Sequence, residues 1–416
     1  MVSIAYMDPG NYGTDIAAGA GFKYDLLWAA WFAGGMAMLL QYLSGKLGIA
    51  SGYSLPELVR MSLVKHRYVV PYWLAAEAAV AATDLAEYLG TVLGLNLLFG
   101  VPLLYASIFG ALDVILLLAM MGKRFRLIEQ YFAMLISVLV FGILYNLVVV
   151  KPDLTQVAYH SVVPIASSNA ALLIVVGIIG ATVMPHALFV HSWLSKNKMD
   201  LLGRKINGGN LGSSVTDSMK PTANHHAHST RDIERTRKFH LKETVIALTI
   251  ASVVNAGILI VAIPLYPNPN VTVSDFVHGI GLIFGSAIAV IFILTLLASG
   301  LSSSALGTIA GQVIMEGLIG KHWNVWARRI VTRVINVFPT TFAILLGLDP
   351  LSLLVYSQVI LSLMIPLPMI PLVYYTSKRK FMADFVNRRI TLVLAIVTVA
   401  LIMAFNSFLL YTIFVP

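Results

Sequence analysis

The sequence has no cysteine and few charges: of its 416 residues only 11% are Asp, Glu, Lys or Arg. The first absence excludes disulfides, thiolate metal sites and thiol catalysis. The second excludes an ordinary soluble domain, in which about a quarter of residues are charged. No His-Glu-x-x-His sequence occurs, so the usual helix-borne zinc hydrolase is excluded as well. What is present is apolar. Hydrophobic residues make up 58% of the chain, and the mean hydropathy is +0.84. This is the composition of an integral membrane protein.

Runs of roughly 20 apolar residues place eleven spans near 1–19, 25–49, 69–98, 102–121, 127–150, 170–194, 243–265, 280–317, 327–347, 350–376 and 389–413. With the N-terminus inside, every Lys and Arg except Lys23 and Lys151 falls on a cytoplasmic connection or span end. That bias is the positive-inside pattern, and it predicts a cytoplasmic N-terminus and an external C-terminus in a plasma membrane. It also accounts for the net charge of +9 without nucleic acid. Only seven residues precede Asp8, about 10 Å of helix. The first span therefore reads as one whose N-terminal half is partly missing. No basic n-region or cleavage site marks a signal peptide. Residues 196–242 are the one long polar segment and carry the tract His225-His226-Ala227-His228. They read as a mobile cytoplasmic linker, with metal binding by the tract as the alternative.

Two spans are interrupted by proline. In the sixth, Ala181-Thr182-Val183-Met184-Pro185-His186 lies at mid-span. Proline offers no N–H and clashes with the carbonyl four residues back, which is that of Ala181. In hydrocarbon such a break is tolerated only where protein or a polar cavity receives it. In the first, Ala5-Tyr6-Met7-Asp8-Pro9-Gly10-Asn11 repeats the device, with the Ala5 carbonyl four back from Pro9. Interrupted helices in corresponding positions of two halves point to a transporter site. Together they offer the Asp8 carboxylate, the Asn11 amide oxygen, the Ala5 and Ala181 carbonyls and the Met184 thioether. The plainer alternative is a pair of kinked spans with methionine as filler.

The third span holds Glu77, Asp84 and Glu87 on one helical face. Three carboxylates inside a membrane read as a proton or cation route, or else as partners of basic residues such as Arg328 and Arg333. Gln358, early in the tenth span, could supply an amide oxygen to a cation or bridge helices.

Asp8-Pro9-Gly10-Asn11 paired with Met184-Pro185-His186 resembles the signature of the Nramp family, the natural resistance-associated macrophage protein and divalent metal transporters, in its prokaryotic type. Thr83-Asp84-Leu85-Ala86-Glu87, Gly307-Thr308-Ile309-Ala310-Gly311-Gln312 and Ser357-Gln358-Val359 extend the resemblance over almost the whole chain. Leu301 departs from it, standing where the family usually has Gln, and so does the short first span. The resemblance implies an all-α LeuT-type fold: inverted repeats over 1–150 and 170–376 and an eleventh span at 389–413. It implies proton-coupled import of manganese or ferrous iron, with cobalt and cadmium as further cargo. It puts metal ligation on Asp8, Asn11, Ala181 and Met184, joined by Ala5 and Gln358 in some states. It puts the proton route on His186, Asp84 and Glu87, with Glu77 nearby. The expectation is then a monomer in lipid, not an enzyme, with no resident cofactor and with metal ions and protons as partners. A related magnesium transporter, a cation channel and an intramembrane metalloenzyme are the alternatives. Met184 argues against magnesium, which prefers oxygen ligands and retains its waters.

Overall fold

The structure is a computed structural model, described here for residues 8–63, 66–110, 125–206, 230–268, 270–320 and 324–414. Among these residues the regular secondary structure is helical. The first half comprises α1 (Pro9–Phe22), α2 (Leu27–Ser51), α3 (Leu55–Ser62), α4 (Val69–Phe99), α5 (Leu103–Gly110), α6 (Phe125–Val150) and α7 (Leu154–Val162). The second comprises α8 (Asn169–Val183), α9 (Pro185–Ile206), α10 (Thr230–Ala262), α11 (Val273–Phe284), α12 (Ser286–Ile319), α13 (Val325–Leu345), α14 (Pro350–Met364), α15 (Pro366–Thr376), α16 (Arg379–Met382) and α17 (Arg389–Phe414). Among the described residues, six helical stretches are long and apolar enough to cross a membrane, and three shorter apolar helices accompany them.

Each expected span contains helix, but three boundaries differ in an instructive way. The eighth run breaks at Gly285, whose φ of +97° suits a residue without a side chain. The tenth bends at Ile365, before Pro366. The segment expected to be a mobile linker is helical in all its described parts, since α9 runs to Ile206 and α10 starts at Thr230. Polar helix holds there through paired charges: Glu234 bonds Arg237 at 2.8 Å and Lys238 at 3.3 Å, while Lys198 reaches Glu243 at 3.0 Å. The histidine tract lies outside the described residues.

Packing sets the centre of the molecule. The short α1 packs on α8, α10 and α14, and α14 also packs on α4. The α4 and α12 helices make the most extensive contact in the bundle. Outward faces are apolar, with Phe141, Phe338 and Phe414 each at least 70% exposed. Such faces suit lipid, and inside the bundle small residues let the backbones approach.

Candidate metal centre and the polar path beside it

Asp8 caps α1. Its Oδ1 accepts from the Asn11 backbone N–H and from Asn11 Nδ2, both at 3.0 Å. Pro9 at the first helical position wastes no donor, since that N–H would lack a partner anyway. Asp8 and Asn11 are both 1% exposed. Asp8 Oδ2 is buried with no hydrogen-bond partner, a costly state for a carboxylate oxygen unless a proton or cation meets it.

The second break falls at Met184, which separates α8 from α9. Its φ of 50° is unusual for a residue with a side chain. The last helical bond of α8 runs from Met184 N–H to the Gly180 carbonyl at 3.2 Å. Position 185, which would serve the Ala181 carbonyl, is proline and has no proton to give. The Val183 carbonyl, just before the break, accepts from Gln41 Nε2 at 3.3 Å.

Gln358 touches both α1 and α8. A Cβ added at Gly10 would lie 2.0 Å from Gln358 Nε2, and one at Gly180 would lie 1.9 Å from the Gln358 carbonyl oxygen. The amide donates to Ser357 Oγ at 3.0 Å, while Gln358 Oε1 is buried and unpartnered. Gln358 thus packs on α1 next to the Asp8–Asn11 pair and on α8 at Gly180, the residue before Ala181. Ala5 lies outside the described residues. The centre offers carboxylate, amide and carbonyl oxygens and one soft sulfur, a donor set suited to a divalent transition ion.

His186 follows the break, and its Nδ1 shares a hydrogen bond of 2.9 Å with Thr83 Oγ1. Asp84 is the next residue of α4. The two readings of the carboxylate series meet here, because the basic partners are present. Arg328 bonds Glu77, and Arg333 Nη1 lies 3.9 Å from Asp84. Arg333 also donates to Ser304 Oγ at 3.2 Å. Glu87 lies against Gly307, where an added Cβ would come within 2.8 Å of Oε2. Glu77 is the outlying member, with 21% of its side chain exposed.

Several residues of the site escaped the sequence reading. Gln41 links the Val183 carbonyl to His191 Nδ1, at 2.9 Å from its Oε1. Asn255 donates to Asn11 Oδ1 at 3.3 Å. Asp15, further along α1, is 1% exposed with neither oxygen hydrogen-bonded. Each is a polar residue inside an apolar run, and that pattern was the available signal.

A bundle of long apolar helices, with α8 and α9 broken at the buried Met184, has the build of a LeuT-type membrane transporter. Residues 1–412 match the family described as natural resistance-associated macrophage protein-like, and the chain belongs to this Nramp family of divalent metal transporters, which are not enzymes. The "Divalent metal cation transporter MntH" of Granulibacter bethesdensis is 37% identical over 415 residues, covering 99% of this chain and 86% of the relative. That of Bacillus subtilis is 35% identical over 414 residues, covering 98% and 90%. The crystal structure of the Eremococcus coleocola manganese transporter, in complex with an aromatic bis-isothiourea compound, superposes with a TM-score of 0.81 at 31% identity, covering 97% of this chain and 83% of that one. Mhp1, a nucleobase-cation-symport-1 family transporter, shares the fold at a TM-score of 0.61 and 16% identity, over 98% and 89% of the two chains.

Proposed function

We propose that this protein imports manganese or ferrous iron, with cobalt and cadmium as further cargo, by alternating access coupled to proton entry. The observation that carries the reading is that Gln358 packs on Gly10, two residues from Asp8, and on Gly180, four residues before Met184. In this reading Asp8 supplies the formal charge that a divalent ion needs in a low-dielectric site. Asn11, Gln358 and the Ala181 carbonyl add oxygens. Met184 adds the donor that calcium and magnesium cannot use. Relatives named as divalent metal cation transporters and as a manganese transporter support the class of cargo.

The Asp8–Asn11 hydrogen bonds hold the carboxylate until an ion takes their place. Protons pass by a separate route, from His186 past Thr83 to Asp84 and Glu87, with the Arg333 guanidinium balancing their charge. Glu77, tied to Arg328, marks its edge. Purified protein in liposomes, with an internal pH dye and radioactive manganese, tests the reading. Wild type should take up manganese and acidify the lumen together. Asp8→Ala should abolish uptake and sharply weaken calorimetric manganese binding. His186→Ala and Asp84→Asn should weaken acidification more than binding. Unchanged manganese affinity in Asp8→Ala would sink the site assignment.

A further inference from the structure

Asp15 is absent from the machinery above, yet it is among the least satisfied groups in the bundle. It lies seven residues beyond Asp8 on α1, two turns and about 10 Å along the axis. It is 1% exposed, and neither carboxylate oxygen has a hydrogen-bond partner. Carboxylates are not buried in this way without a proton or a cation to neutralise them.

A second group points to the same place. Asn11 gives its Nδ2 to Asp8, so its Oδ1 is an acceptor, and Asn255 must meet it with Nδ2. That fixes the Asn255 amide against α1 one turn before Asp15 and leaves its Oδ1 over. This oxygen is buried and unpartnered. Four residues beyond Asp15, Gly19 approaches the backbone of α10 so closely that an added Cβ would lie 2.1 Å from the Leu259 carbonyl oxygen. Asp15 therefore faces α10 between Asn255 and Leu259.

We propose that Asp15, with the amide oxygen of Asn255, forms a second divalent-cation position on the transport path. It rests on the reading that Asp8 binds the cargo. All its donors are oxygens, so it holds manganese, calcium and magnesium alike, and discrimination is left to the Met184 sulfur. Two divalent ions this close repel strongly in a low-dielectric interior, so one ion occupies the two positions in turn.

Calorimetric titration of the full chain with manganese chloride tests the proposal. Asp8→Ala should retain manganese binding weakened about a hundredfold, and adding Asp15→Asn should remove what is left. Calcium should compete for the residual site far better than it competes in wild type. Identical binding by Asp8→Ala and by the double variant overturns the proposal. Should Asp8→Ala keep wild-type affinity, the Asp8 reading fails by itself: loss of that affinity on adding Asp15→Asn still supports the second position, and its persistence overturns it. If the double variant does not fold, manganese anomalous scattering from crystals of Asp8→Ala decides. A peak beside Asp15 supports the position, and its absence overturns it.

Discussion

The side-chain amide of Gln358 lies against Gly10, so close that a methyl group on Gly10 would fall 2.0 Å from Nε2. The backbone of the same residue lies equally tight on Gly180. One residue of α14 thus touches both α1 and α8, and the two glycines are what permit it. The contacts differ in kind. Gly10 faces the end of a side chain that can swing aside, whereas Gly180 faces a carbonyl fixed in a helix.

That difference predicts two outcomes. Gly180→Ala has to move backbone, so it should lower thermal stability in detergent by about 1–3 kcal/mol, the usual cost of overpacking. Gly10→Ala should fold with near wild-type melting but push the Gln358 amide away from the break. Manganese uptake should then fall at least about tenfold, on the scale of one lost charge-assisted contact. Equal melting temperatures for the two variants would contradict the distinction.

The ion pair between Arg328 and Glu77 gives a second test, one that separates structure from proton transfer. Glu77 also accepts from Trp73 Nε1 at 3.0 Å. Arg328→Leu leaves that carboxylate without its guanidinium. The expected cost is about 3 kcal/mol or less, because Glu77 is only partly buried. Glu77→Gln keeps its shape and should cost less. The pH profile of manganese uptake is the informative reading. If it stays unchanged in Glu77→Gln while Asp84→Asn alters it, Glu77 is a support and the route begins at Asp84.

Glu57, at the start of the short helix α3, predicts a pH dependence of stability. Burial acts to raise its carboxyl, but Lys196 at 2.8 Å and the Ser54 N–H at 2.7 Å outweigh that and hold it below the ordinary carboxylate range. A carboxyl depressed in the fold stabilises it fully above the unfolded value, near pH 4.3. That contribution is lost as the pH falls through the folded value. Melting followed from about pH 6 to about pH 3 should therefore decline more gently in Glu57→Gln than in wild type. Parallel curves would show that the capping pair contributes nothing.

Much of this was legible in the chain. Proline beside Met184 marked the break between α8 and α9, and proline beside Asp8 marked the start of α1, because proline cannot complete a helix wherever it is placed. Apolar runs located the spans for the same local reason. The partners across the bundle were not legible. Gln41 looked like any polar residue in α2, and only tertiary packing brings it to the Val183 carbonyl. Arg328 and Arg333 were visible as basic partners for the third span, but their pairing with Glu77 and Asp84 depends on how α13 lies on α4. The helical residues 230–242 were missed because their stability comes from paired charges, which hydropathy does not register.

Met184 carries the last prediction. It holds a positive φ at the break, is 1% exposed, and interrupts a span with a thioether where an aliphatic side chain would pack as well. Manganese is fairly hard and can be held by Asp8, Asn11, Gln358 and the Ala181 carbonyl. Calcium and magnesium can use the same oxygens. The sulfur favours only the softer ions, so it widens the difference between the two classes, and selectivity is that difference. Met184→Ala should cost cadmium uptake most and manganese less, and should let calcium compete. Met184→Leu, close in volume, separates chemistry from packing: a ligand is lost while the cavity stays filled. Radioactive manganese uptake against rising calcium is the measurement. Both variants should become sensitive to calcium, Met184→Leu included. If both reject calcium as wild type does, Met184 is a filler at a bend and selectivity resides elsewhere in the centre.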